Sequence, residues 1–449
     1  MQHVVVIGGG FAGLRVVRGL RRSPVRVTLL ERTNHHTFQP LLYQVATGSL
    51  SPGEIGPPLR WILRHQSNVT IRMAEVTDVD LEARTVTAQS LDGVDRTIEY
   101  DHLVVATGAR HGYFGNDAWE EHAPGLKTIE DALELRRRIF GAFERADVAE
   151  DEAERRRLLT FAVIGAGPTG VELAGQAIEI AHRTLRREYR RFDPADARVV
   201  LVDAAPKVLG AFDDKLSERA RHALEDMGVE VRTGAPVAGI DERGIEVGDG
   251  ERIDAGTVIW AAGVQASPLG RRIAEQAGVE VDRGGRVPVE PDLTLAGHPE
   301  VRVLGDLAAT GLSGVAPVAM QQGDWVGKAI DAFERRRAAP KPFRYKDKGS
   351  MATIGRRRAV AHIGGLRLGG TLAWLAWLFV HLMYVVGFAN RVLVLVRWMS
   401  SYLANGRGER VLVRGPIMPA EPERPAQPDD SAETASPALP AEAVTKRGA

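Results

Sequence analysis

The chain of 449 residues contains no cysteine. That absence excludes every reaction that needs a thiolate nucleophile, a redox disulfide or a thiolate-bound metal within the chain. Disulfide reductases that use a cysteine pair and sulfide oxidisers that work through cysteine are removed with it. Net charge is absent too, because 58 lysines and arginines balance 58 aspartates and glutamates. The basic residues are spread along helical segments instead of forming one tract, so nucleic acid is not an expected partner. No apolar leader stands before the first strand pattern, where Met1-Gln2-His3 runs straight into Val4. No signal peptide is therefore expected, and the amino-terminal domain should stay in the cytoplasm. No metal is expected either.

What the chain does hold is the same glycine pattern twice. The first copy is Gly8-Gly9-Gly10-Phe11-Ala12-Gly13 and the second is Gly165-Ala166-Gly167-Pro168-Thr169-Gly170. Each follows a run of β-branched and aliphatic residues and opens a helix-periodic segment, which is the context that makes such a pattern a dinucleotide fingerprint. The first glycine makes the strand-to-helix turn, the second lets backbone N–H groups approach a pyrophosphate, and the third packs helix on strand. Two dinucleotides and no thiol suggest electrons passing from one cofactor to the other.

The length argues for about three domains. Residues 4–7, 12–22 and 25–31 read as strand, helix and strand, ending at Glu31, where a carboxylate would accept from a ribose 2′-OH about 20 residues after the fingerprint. Strand patterns at 69–73, 85–88 and 97–100 lead to a buried strand at 102–106, followed by Thr107-Gly108. A helix at 129–146 precedes the second fingerprint, whose own helix should run from 168 to about 191. The next strand, 198–203, ends in Asp203, well beyond the usual interval; an acid here favours NADH over NADPH, with Lys207 nearby weakening that preference. The apolar stretch 258–263 mirrors 104–108. At 301–304 the first half's character returns, with Gly305-Asp306 placed to hold a ribityl chain or pyrophosphate region or simply to cap the next helix.

Residues 371–388 are apolar except for Thr371 and His381, at the lower limit for spanning a bilayer of about 30 Å. Asn390-Arg391 then interrupts and 392–403 resumes. Trp374, Trp377, Tyr384, Trp398 and Tyr402 are aromatics favoured at headgroup level, and Arg391, Arg397, Arg407, Arg410 and Arg414 are placed to meet anionic lipid. The expectation is a pair of helices lying on the bilayer surface, with pairing of two copies into a homodimer left open. The proline-, alanine- and glutamate-rich residues 411–449 read as a disordered tail. From the residues alone, a soluble NADH:ferredoxin-type or other acceptor flavoreductase, and a non-catalytic NADH-sensing flavoprotein, stay open beside a membrane enzyme.

Several stretches together resemble the type II NADH dehydrogenases, the single-subunit, non-pumping NADH:quinone oxidoreductases of respiratory membranes. They are Phe38-Gln39-Pro40-Leu41-Leu42-Tyr43-Gln44-Val45-Ala46, Gly167-Pro168-Thr169-Gly170-Val171-Glu172, Trp260-Ala261-Ala262-Gly263-Val264, Pro317-Val318-Ala319-Met320-Gln321-Gln322-Gly323 and the tryptophan-rich carboxyl-terminal segment. The resemblance covers nearly all of residues 3–404. It implies an α/β fold in which a Rossmann-like FAD-binding domain (1–115 and 291–340) is interrupted by a Rossmann-like NADH-binding domain (116–290). A membrane-anchoring, quinone-facing region of amphipathic helices (341–410) follows, attached to the cytoplasmic face of the cell membrane.

The resemblance further implies FAD held by Gly8, Gly9, Gly10, Phe11, Ala12, Gly13, Glu31, Arg32, Pro40, Leu41, Leu42, Val76, Ala106, Thr107, Gly108, Gly305, Asp306, Ala316, Pro317 and Val318. It implies NADH on Gly165, Gly167, Pro168, Thr169, Gly170, Asp203, Ala262 and Gly263. Hydride would pass from NADH to FAD, and two electrons on to a membrane quinone. Glu172 matches an acid with a catalytic or coupling role near the nicotinamide, although a carboxylate early in a helix is also favoured by the dipole. Gln321 and Gln44 are the candidate quinone contacts. The family's Ala-Gln-x-Ala-x-Gln motif here reads Ala316-Pro317-Val318-Ala319-Met320-Gln321, so Pro317 removes one side-chain donor.

Overall fold

The β-branched runs before the two fingerprints become inner strands of two sheets, parallel around those strands. In the computed structural model, residues 1–248, 250–404 and 406–412 are described. The first sheet has eight strands, in the order Thr294–Leu295, His298–Val303, His102–Val105, Gln2–Ile7, Val25–Glu31, Val69–Asp80, Thr85–Ser90 and Asp95–Glu99. The second has four, in the order Val229–Thr233, Arg198–Asp203, Thr160–Ile164 and Thr257–Trp260. Val4, Val5, Val6, Val199, Val200 and Val202 are fully buried. A strand covered on both faces has no place for polar side chains, which is why these segments read as unbroken aliphatic runs. His298–Val303 pairs parallel with His102–Val105, so the chain leaves the first sheet, builds the second and returns. Ala109–His111 pairs antiparallel with Val264–Ala266 and ties the two halves together.

The helix after the second fingerprint is shorter than its sequence pattern. It runs α-helically over Pro168–Glu179, widens into one π-helical turn over Ile180–Thr184, and stops. Arg187 takes a left-handed φ of 72°, and Tyr189 and Phe192 fold back beneath Phe143, with ring centroids 6.2 Å (Phe143–Tyr189) and 5.0 Å (Tyr189–Phe192) apart. Burial of these rings outweighs the arginine-rich segment's helical preference. The excess residues before Asp203 lie in this turn.

A three-stranded antiparallel sheet, Ser350–Gly355, Arg358–Ile363 and Leu366–Gly369, precedes the carboxyl-terminal helices. The apolar pair itself breaks earlier than expected, into Gly370–Tyr384 and Phe388–Ala404. Gly387, at φ 95°, makes the turn. Asn390, expected to break the helix, lies inside it and donates to the carbonyls of Gly53 (3.2 Å) and Glu54 (3.1 Å).

The aromatics of this pair point inward, contrary to the headgroup expectation. Trp374, Trp377 and Trp398 are 9 %, 1 % and 4 % exposed. Trp377 stacks on His381 at 4.1 Å, and the Trp398 indole N–H donates to Gln44 Oε1 at 2.7 Å. The outer face carries aliphatic side chains and phenylalanines instead: Leu372, Leu375, Phe379, Met383, Phe388, Leu393, Val396 and Met399 are each about half exposed or more. The arginines turn inward as well. Arg397 pairs with Glu54 (3.0 Å) and Glu409 (2.6 Å), and Arg410 pairs with Glu188 (2.6 Å). Arg407 is buried, donating to Thr47 O, Ser49 Oγ, Gln176 Oε1 and Thr184 Oγ1. Leu412 still packs against the core, so the expected tail does not begin at 411. Arg414 and residues 413–449 lie outside the described residues. Among those described, no helix is long and apolar enough to cross a membrane.

Candidate functional site: two glycine cradles and a shared cleft

The two fingerprints adopt one geometry. Gly8 N–H donates to Leu30 O at 2.8 Å and Gly165 N–H to Val202 O at 2.7 Å, fixing each loop to the neighbouring strand. Both glycines sit at left-handed φ, 101° and 103°. A Cβ on Gly13 would stand 1.8 Å from Gly8 O, and one on Gly170 would stand 1.8 Å from Gly165 O. These are the helix–strand contacts that only glycine permits. The middle glycines differ in kind. A Cβ on Gly10 or on Gly167 would meet nothing within 4 Å. Each middle glycine therefore borders open space at a helix amino terminus (Phe11–Gly19 and Pro168–Glu179), where unpaired N–H groups and the dipole favour an anion. The residues thus fit a pyrophosphate in both loops.

The strand-end acids also match. Glu31 accepts from the Gly9 N–H and Asp203 from the Ala166 N–H, each at 2.5 Å. Beneath the first loop, buried His36 lies with Nδ1 2.9 Å from Gly9 O, and burial pushes its pKa down to about 4, so the ring is neutral.

One cleft with about 1700 Å³ of empty volume gathers Gly8, Gly9, Gly10, Phe11, Ala12, Glu31, Arg32, Val76, Ala106, Thr107, Gly108, Gly305, Asp306 and Ala316. These residues come from six separate stretches of sequence, and all were candidate FAD contacts. The buried Thr107 hydroxyl has no partner in the protein, as expected of a group that serves a ligand. Val318 lines an adjoining pocket with Gly305 and Asp306. Gly13 packs under the loop, Leu41 and Leu42 are buried in the core, and neither Pro40 nor Pro317 lines the cleft. On the other side, Ala262 and Gly263 follow the strand Thr257–Trp260, next to Gly165.

Glu172 lies in the first turns of Pro168–Glu179, 9 % exposed. Burial drives its pKa well above the ordinary carboxylate range, and a hydrogen bond with the Thr353 backbone opposes this only in part. Buried Tyr43 is raised in turn, by its own burial first and then by Glu172. Burial thus works against the ionised form that a helix amino terminus would favour.

Residues 2–323 match the pyridine nucleotide-disulphide oxidoreductase family, and 348–407 match the NDH2 C-terminal domain. The type II NADH:quinone oxidoreductase NdhA of Mycobacterium tuberculosis is 50 % identical, over 92 % of this chain and 89 % of its own. The chain belongs to the type II NADH:quinone oxidoreductases. A second enzyme of that name, Ndh from the same organism, is 49 % identical over 91 % of this chain and 89 % of its own. The NDH2 of Plasmodium falciparum superposes with a TM-score of 0.84 at 18 % identity, covering 92 % of this chain and 100 % of that one, which establishes the shared fold.

Against the family's quinone motif, the two glutamines are informative. Gln321 donates to Lys346 O (2.9 Å) and accepts from Lys346 N–H (3.0 Å), an amide closed on the backbone. Gln44 is 4 % exposed and bonded to Tyr43 and Trp398. Both amides have hydrogen-bond partners within the protein. The cleft also uses groups the sequence did not mark, among them Gln39, Lys127, Thr128 and Ser267. Lys127 approaches Asp306 to 4.0 Å. It sits in a loop without a motif, so no local signal identified it. Gln322 was detectable: it lies within the quoted stretch next to Gln321, is fully buried, and accepts from Gly305 N–H at 2.7 Å.

Proposed function

We propose that this chain oxidises NADH on its second cradle and delivers the electrons, through FAD held in the first, to a quinone at a membrane surface, without proton pumping. The matched cradles carry this reading: two anion-ready loops of the same geometry, each with its middle glycine bordering open space. The relatives' names supply the acceptor. In this reading residues 1–115 and 291–340 form the FAD part, 116–290 the NADH part and 341–410 the membrane- and quinone-facing part.

When bound, FAD supplies the hydride-accepting and electron-transferring chemistry. The protein's own groups bind and orient. Glu31 and Asp203 stand ready for ribose hydroxyls. The helix Ala316–Glu334 opens on the cleft through Ala316, so its amino terminus favours negative charge there. Asp203 disfavours a 2′-phosphate, and Lys207 does not offset it, since its ammonium donates to Phe212 O (2.9 Å) and Asp214 (2.8 Å). NADH is therefore the preferred reductant. Glu172, neutral and buried, can hold a proton beside the site; Gln44 and Gln321 act as frame residues and not as quinone donors. The outer aliphatic face of the helix pair rests on lipid at the cytoplasmic side of the cell membrane.

The test is a flavin spectrum followed on membrane-bound protein. NADH bleaches the flavin band, and a lipid-soluble quinone restores it within the turnover time. Bleaching without reoxidation by any quinone overturns the acceptor assignment.

A further inference from the structure

The outward face of the carboxyl-terminal helices is apolar, and most arginines of this region are engaged: Arg397 and Arg410 are paired to acids, Arg407 is buried, and Arg391 donates to Val385 O. A different segment, far away in sequence, completes that face. The short helix Leu59–Ile62 belongs to the first sheet's half. Its first residue, Leu59, is fully buried and supports the cofactor loop: a Cβ on Gly9 would stand 2.8 Å from the Leu59 Cδ1. Two residues on, Trp61 is 40 % exposed, the only exposed tryptophan among the described residues. Its ring covers Gly387, where a Cβ would fall 2.9 Å from Trp61 Cη2, and Gly387 is followed by Phe388, 81 % exposed. The indole thus continues the apolar face at the turn of the helix pair.

Arg60, Arg64 and His65 flank it, all exposed. Arg64 lies over the Trp61 ring at 4.5 Å and donates to Trp61 O, while Arg60 donates to Ile71 O. Neither arginine is in an ion pair with an acid of the described residues. A tryptophan at the edge of an apolar face, with unpaired arginines around it, is the composition of a contact with a bilayer's anionic headgroup layer.

We propose that Trp61, Arg60 and Arg64 form a second lipid contact, made by the FAD-binding half itself and specific for anionic phospholipid. It rests on the reading of the helix pair as membrane-facing and adds a point that fixes how the cofactor cleft is held over the membrane. Because Leu59 links this contact to Gly9, docking on lipid is mechanically close to the first cradle.

The cysteine-free chain makes the test direct. Single cysteines replace Trp61, Phe379 on the outer helix face, and Leu91 on a remote loop, each labelled with an environment-sensitive fluorophore on FAD-loaded full-length protein. Phosphatidylcholine vesicles with and without phosphatidylglycerol are added. The Phe379 and Trp61 labels should both shift to the blue, and the Leu91 label should not. In co-sedimentation of otherwise unaltered protein, Arg60→Glu with Arg64→Glu should weaken binding to phosphatidylglycerol vesicles more than about twentyfold, at roughly fivefold per neutralised arginine. The pair should leave binding to phosphatidylcholine alone, and NADH oxidation by a water-soluble acceptor, unchanged. A blue shift at Phe379 with none at Trp61 overturns the proposal and spares the membrane reading. No shift at either position overturns both. A Trp61 label that shifts with protein concentration in the absence of vesicles assigns the face to a second copy of the chain and overturns the lipid contact.

Discussion

Alanine at two glycines three residues apart should have opposite effects. At Gly170 a methyl carbon would lie 1.8 Å from Gly165 O, inside a contact made of backbone on both sides. Neither partner can rotate away, so the helix must shift off its strand, at about 3 kcal/mol or more. For a chain of this size that lowers Tm by roughly 3 °C or more. At Gly167 the backbone is at φ −71° and ψ −178°, ordinary for alanine, and no atom lies within 4 Å of the new methyl. The fold should be unaffected or stabilised by about 0.4–1 kcal/mol through the unfolded chain. The methyl instead occupies the space the pyrophosphate needs. Losing one charge-assisted hydrogen bond, at about 1.5–3 kcal/mol, raises KM for NADH by roughly 10- to 150-fold. FAD content should stay full, since the first cradle is untouched. Differential scanning fluorimetry, the flavin-to-protein absorbance ratio and steady-state KM read the three quantities separately. If Gly167→Ala keeps the parent KM, the open space at that glycine is not where NADH binds, and the assignment of the second cradle fails.

Asp203→Ala should raise the ratio of NADPH to NADH kcat/KM by about tenfold, from removal of one like charge at partly screened distance. Asp203→Asn keeps an acceptor for the Ala166 N–H and should show the same switch with less loss of stability; an unchanged ratio in both would dissociate Asp203 from the ribose. Arg407→Met strands the groups around a buried cation and should cost about 3–5 kcal/mol, seen as a Tm lower by roughly 3–5 °C, and a melt within about one degree of the parent's would refute the bracing role. Glu172 stays protonated when folded above the pH at which the unfolded chain releases that proton, so native stability falls as pH rises from the ordinary carboxylate value towards the raised one. Glu172→Gln removes that slope, and its Tm should exceed the parent's by a margin that grows with pH; parallel pH–Tm curves would show the carboxyl is ionised in place.

The parts of this molecule that repeat a local rule were legible in its sequence. Both fingerprints, the strand-end acids Glu31 and Asp203 and the returning strand before Gly305 are set by interactions a few residues long or by continuous burial. They fold as their patterns imply. The helix after the second fingerprint shows where such rules stop, since its end is set by Tyr189 reaching Phe143 with Phe192 packed on Tyr189, a contact with no local trace. The carboxyl-terminal tryptophans mislead for a related reason. Amphipathic rings suit a headgroup layer or a buried partner equally well, and Gln44, more than 350 positions away in the chain, decides for the interior. The cleft's Lys127 and Ser267 come from loops that acquire a role only once the two sheets are tied by Ala109–His111 and Val264–Ala266.

The carboxyl-terminal pair also shows how charge and apolar surface divide one task. An apolar helix pair can be oriented on a globular body only if something fixes which face looks inward. Here the fixing is polar: Asn390 to the carbonyls of Gly53 and Glu54, Arg397 to Glu54 and Glu409, and Arg407 into the loop at Thr47 and Ser49. These bonds are directional, whereas aliphatic packing alone would tolerate rotation of the helices. Arg397, Arg407 and Arg410 are spent inward and unavailable to lipid, so beside Arg391 attraction to an anionic surface draws on another segment. Arg60 and Arg64 are exposed cations flanking Trp61, which covers Gly387 at the turn, on a helix whose first residue supports Gly9. On this logic, neutralising them should change how the enzyme sits on a membrane while the helix pair stays docked on its core.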